Sequence, residues 1–113
     1  MKQHEWIEAF PAAVTVCDAR GTILEMNARS KATFAAEGGE RLIGTNVLDC
    51  HPEPALTKLR EMLAGAKTNV YTIEKGGAKK LIYQAPWFKD GHPAGFVELS
   101  FEIPDDLPNF KRD

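Results

Sequence analysis

From Gly95 to Ile103 the sequence alternates without a break, with Val97, Leu99 and Phe101 on one side and Glu98, Ser100 and Glu102 on the other. A period of two marks an extended strand, because successive side chains leave a pleated backbone on opposite faces. The pattern also fixes the kind of sheet. A strand buried on both faces reads as one apolar run, whereas one apolar and one polar side belong to an antiparallel sheet with one face packed and the other wet. Val97, Leu99 and Phe101 are accordingly expected on the packed side.

The segments before it supply the rest of such a sheet. Lys79 to Phe88 carries Leu81, Tyr83, Ala85 and Trp87 on one face and Ile82, Gln84 and Phe88 on the other. Pro86 has no N–H to give a ladder, so it must fall at an edge or a bulge. Asn69 to Lys75 places Tyr71 and Ile73 together, and Gly76-Gly77 and Lys89 to Pro93 are turns. Upstream, Ala13 to Cys17 and Thr22 to Met26 flank Asp18-Ala19-Arg20-Gly21, a turn opened by Asp and closed by Gly, which predicts a hairpin.

Helical spacing occupies the remainder. Trp6, Ile7 and Phe10 predict a short helix over 3–10, ended by Pro11. Asn27 is placed to cap a helix over Ala28 to about Ala36 that partly buries Ala32, Phe34 and Ala35, with Gly38-Gly39 stopping it. Thr45 to Asp49 suits one helical turn. Pro52 and Pro54 suit the first turn of a helix whose stripe is Leu56, Leu59, Met62 and Leu63, closed by Gly65. The sum is α+β: an antiparallel sheet covered on one face by helices. The 113 residues are expected to form a single domain, with its core over 12–103 and a surface tail over 104–113.

Charge narrows the partners. A net charge of −2 gives no general attraction to nucleic acid or to an anionic membrane. The longest apolar runs are far short of a bilayer span, and the first residues lack the apolar stretch of a secretory signal, so a cytoplasmic location is expected. Cys17 and Cys50 form no CxxC pair and read as free thiols.

The ordered set of motifs resembles the PAS domain family. Val14 to Asn27 reads as that family's opening hairpin: apolar strand, Asp, two residues, Gly, apolar strand, Asn. Leu42-Ile43-Gly44 followed by a helical turn is similar to its step into the central helices, and Lys89-Asp90-Gly91 to its late hairpin. The similarity spans roughly residues 6 to 103. It implies a five-stranded antiparallel sheet of order 2-1-5-4-3 with helices clamped over one face. It implies either a small molecule held between helices and sheet in signal transduction, or a module for dimer contacts.

The chemistry-bearing residues cluster in Leu42 to Pro54, which holds Asp49, Cys50, His51 and Glu53. A photoactive flavin of the light-oxygen-voltage type is not favoured. That subfamily places Cys directly after Gly-x-Asn, and here Val47 stands there. Haem is not favoured either: His is a good axial ligand, but His51 precedes the long helix rather than lying in it, and its simpler role is to cap that helix with Asp49. His4 and His92 read as solvated. Adjacent Cys50 and His51 do not have the spaced pairs of a structural metal site. No nucleophile motif with an orienting partner is present, so no catalytic residue and no enzyme activity are expected.

Two uses remain. Tyr71, Tyr83, Trp87 and Leu99 are candidate walls of a small-molecule pocket, with Cys50 and His51 at its rim, although plain core filling accounts for the same aromatic residues. Gln84 alternates away from Tyr83, so only one of the two faces that pocket. Trp6, Ile7 and Phe10 form a helix too short to stand alone and are candidates for a homodimer interface, together with Ile82 and Phe88.

Overall fold

The computed structural model describes residues 4–50, 52–65 and 67–113, the Cys50 side chain excepted. Helix α1 (Glu5–Glu8) leads into the hairpin of β1 (Ala13–Asp18) and β2 (Ile23–Met26). Helix α2 (Ala28–Thr33), three short 3-10 turns and helix α3 (Ala55–Gly65) follow. Strands β3 (Asn69–Lys75), β4 (Ala78–Lys89) and β5 (His92–Ile103) complete the chain. The strands form one antiparallel sheet in the order β2-β1-β5-β4-β3. No described helix is long and apolar enough to cross a membrane.

Local chemistry sets the connections. The Asp18 carboxylate accepts from the backbone N–H groups of Arg20 and Thr22, both at 2.9 Å, and so builds the turn between β1 and β2. Asn27 caps α2, its Oδ1 accepting from the Ser30 N–H at 3.0 Å. The same oxygen accepts from the Val14 N–H, and Nδ2 donates to the carbonyls of Ile7 and Ala12. One buried amide therefore ties α1, β1 and α2 together. Helix α2 is shorter than its spacing predicts. It ends at Thr33, and Ala32 and Ala35 are exposed; Ser30 is the residue it buries, with its hydroxyl 2.6 Å from that of Thr15.

The prolines before α3 do not enter its first turn. The helix starts at Ala55, and Glu53 rather than Asp49 supports that start, accepting from the N–H and the hydroxyl of Thr57. His51, the other residue expected to cap this helix, lies outside the described residues. The expected stripe does face inward: Met62 is buried and Leu56, Leu59 and Leu63 are half-buried. Met62 packs with Cys17 and Phe96. Pro86 lies in the interior strand β4, where β3 begins opposite Gln84. Residues beyond Gln84 have no β3 neighbour, so Pro86 stands where β4 is locally an edge, next to the register shift between Trp87 and Phe88.

Cross-strand register decides what each face carries. Thr15 pairs with Glu98, Glu98 with Gln84, and Gln84 with Asn69, a transverse row on one face. Val14, Leu99, Tyr83 and Val70 form the next row, on the opposite face. Leu59 and Met62 of α3 lie over the first row. The helices thus cover the side with Glu98 and Ser100, the reverse of the expectation. Periodicity establishes which residues share a face, but not which face the helices choose. On the other side, α1 lies over Val14 and Val16.

Gly95 marks a close crossing. A Cβ built there would lie 1.9 Å from the Cys17 carbonyl oxygen and 2.7 Å from Trp87 Nε1. The indole N–H of Trp87 reaches over this gap and donates to that carbonyl at 2.9 Å. Only a residue without a side chain lets β4 bond to β1 across β5.

Candidate functional site

Between the helices and the inner sheet face lies a cleft with adjoining lobes. The lobe of about 480 Å³ runs under α3, lined by Leu59, Met62, Asn69, Tyr71, Gln84 and Glu98 among others. A small lobe of about 80 Å³ reaches inward to Thr15, Cys17 and Phe96. The one of about 330 Å³ opens toward Phe34, Ile73, Lys80 and Ile82. Glu98 lines all three, and Tyr71 lines the two large ones.

The cleft takes its polar character from the transverse row. Gln84 Nε2 donates to Glu98 Oε2 at 2.7 Å, and Gln84 Oε1 accepts from Asn69 Nδ2 at 3.1 Å. A carboxylate can only accept, so it turns the Gln84 NH2 toward itself and leaves the amide oxygen for Asn69. Burial pushes the Tyr71 hydroxyl above its ordinary range. The Glu98 charge adds to the rise, and a hydrogen bond with Gln84 opposes it. Burial likewise raises the Cys17 thiol, with smaller contributions from Asp18 and Glu98, against a lowering from the backbone of Phe96. A buried, protonated thiol is a poor nucleophile.

The structure divides the residues singled out in the sequence. Tyr71 lines the cleft. Tyr83 and Leu99 pair with each other in the outer row and do not. Trp87 is committed to the Cys17 carbonyl. His51 and the Cys50 side chain lie outside the described residues. Trp6 and Phe10 are 57 % and 46 % exposed, their rings meeting edge to face at 6.0 Å between centroids, while Ile7 is half-buried. Ile82 is buried on the inner face and is unavailable to an outer interface; Phe88 is exposed.

Sequence reasoning missed Glu98, Gln84 and Asn69 as a group. The signal was the polar half of the β5 alternation, which counts as solvated until the sheet register puts the three residues in one row. Among the described residues, no group of three or more His, Cys, Asp or Glu side chains is gathered to hold a metal.

The sequence profile of a family described as the PAS fold matches residues 7–103. No curated protein matches the chain in sequence. A C-terminal domain from Streptococcus mutans superposes with a TM-score of 0.70 at 19% identity, covering 86% of this chain and 79% of that one. A sensory box sensor histidine kinase from Vibrio cholerae superposes with a TM-score of 0.62 at 15% identity, covering 88% of each. The Aer2 receptor from Vibrio cholerae, described as a dual PAS-haem oxygen sensor, gives 0.60 at 16% identity, covering 82% of this chain and 95% of that one.

Proposed function

Because the chain belongs to the PAS fold family, we propose that it is a sensory or regulatory domain that takes up a small molecule between its helices and its sheet. The observation that carries this reading is the cleft itself. A core of this size is normally filled to crystal-like density, yet here the helices stand off the sheet over a lobe of about 480 Å³ with convergent polar groups. That volume lies in the range of small-molecule sites. The similarity to a sensor histidine kinase and to an oxygen-sensing receptor supports the signalling part of the reading.

Haem does not fit the described lining, which has no histidine to offer the iron. His4 lies at the start of α1, by the outer face, and His92 at the β4–β5 turn. Native mass spectrometry and the absorption spectrum of the gently purified protein test the proposal. The expected result is chain mass plus a bound compound that is lost on denaturation. Bare chain mass, together with a melting temperature unmoved by a broad small-molecule library, would overturn it.

A second reading, self-association, draws on the outer face. Trp6, Phe10, Val70 and Tyr83 are exposed around a sheet side whose neighbours Leu81, Val97 and Leu99 are only half-buried. A second copy of the chain presenting the same patch is the occupant such a two-fold contact needs. Sedimentation of Trp6→Asp with Phe10→Asp tests it: a mass identical to that of the unaltered chain removes this reading.

A further inference from the structure

We propose that the cleft selects a small organic cation, a protonated amine or amidinium on an apolar body, with Glu98 as its anchor. This rests on the small-molecule reading above and names the ligand class. Glu98 sits at the junction of the three lobes. Among the described residues it receives one hydrogen bond, from the neutral Gln84 amide. The described ion pairs are His4 with Glu25 and Lys111 with Asp113, so no described cation compensates it. A half-buried carboxylate served by one neutral donor still has lone pairs to satisfy, and charge-assisted donors satisfy them best.

The surroundings suit a cation with an apolar body. Tyr71 lines both large lobes beside Glu98, and an aromatic face attracts cations. Leu59 and Met62 wall one lobe, and Phe34 and Ile82 another. The Gln84 amide is already oriented by Asn69 and Glu98, so the anchor is held in place before the ligand arrives. Lys58, Lys75 and Lys80 also line the lobes. They are the groups that would favour an anion, and they set the comparison the experiment must make.

Three probes of one shape separate the cases: benzylammonium chloride, benzyl alcohol and sodium benzoate, each titrated into the full chain labelled with ¹⁵N. Benzylammonium is expected to shift the amide resonances of Tyr71, Gln84 and Glu98. It is expected to bind at least about tenfold tighter than either of the other two, a difference of about 1.4 kcal/mol. Glu98→Gln keeps a side chain that can still bond Gln84, and its spectrum reports whether the fold is intact. In it, benzylammonium binding is expected to fall to the level of benzyl alcohol. Benzoate or benzyl alcohol binding as well as benzylammonium would overturn the cation inference and leave the small-molecule cleft standing. So would a Glu98→Gln protein with undiminished benzylammonium affinity. No cleft shift with any of the three would overturn both.

Discussion

Replacing Asn27 with alanine removes every interaction that its amide makes at the junction of α1, β1 and α2. Asn27 is 4 % exposed, so water does not take over freely. Loss of the cap on Ser30 costs about 1 kcal/mol. The Val14 N–H, bonded to the same oxygen at 2.9 Å, is left buried without a partner, which costs about 1–3 kcal/mol. The carbonyls of Ile7 and Ala12 lose a donor each, worth about 0.5–1.5 kcal/mol apiece, with the more accessible Ile7 toward the low end. A loss of about 3–6 kcal/mol is expected, a large share of the roughly 5–15 kcal/mol that holds a domain together. Urea unfolding at 25 °C measures it. Hydrogen exchange at the Val14 amide adds a local readout, since its protection comes from Asn27 directly. Asn27→Asp keeps the acceptor but turns an oxygen toward two carbonyls, so it should be no more stable than the alanine variant. Asn27→Ser should recover about 1 kcal/mol through the cap alone. A loss below about 1 kcal/mol for alanine, or an aspartate variant as stable as the native chain, would refute the hub.

Three further outcomes follow from the titrating groups. Hydrogen bonds from the Thr57 side chain and backbone hold the Glu53 carboxyl below its usual range. The stabilisation it gives α3 is present above the unfolded carboxyl's pKa and lost as pH falls through the lowered one; Glu53→Gln should flatten that part of an acid-unfolding curve. In a Tyr83→Phe background Tyr71 is the one remaining tyrosine, and a spectrophotometric titration should show it ionising later than a free phenol. Adding Glu98→Gln should bring that ionisation down, and an unmoved titration would separate Tyr71 from the Glu98 charge. Iodoacetamide labelling at pH 8, read by peptide mass, should modify Cys17 at least about tenfold more slowly in the native protein than in urea, since burial keeps its thiol protonated.

Much of the fold is legible in the sequence because its signals are local. Asp18 and the capping bond of Asn27 act through atoms two to four residues away and announce a turn and a cap by residue type alone; the bonds of Asn27 to Ile7, Ala12 and Val14 are long-range and carry no such signal. The alternation of β4 and β5 is likewise a property of neighbours, and the order 2-1-5-4-3 follows from the family resemblance carried by those local motifs. The candidate site is not local. Asn69, Gln84 and Glu98 come from three strands and become a group only through register. Tyr83 and Leu99 look like pocket walls until the helices choose the other face. That choice depends on the stripe of α3 and on Ser30 meeting Thr15, contacts that no window of the sequence contains.

The crossing at Gly95 bears on how this sheet avoids misassembly. A slip of one residue would turn every side chain of β5 to the wrong face, and patterning forbids it. A slip of two would not: apolar and polar sides would stay where they are, and alternation offers no objection. It would, however, bring Pro93 or Val97 to the place where a single Cβ already falls 1.9 Å from the Cys17 oxygen. The gap beneath the Trp87 indole therefore works as a keyhole. It admits one position of the central strand and rejects, by volume alone, the misalignment that hydrophobicity cannot detect.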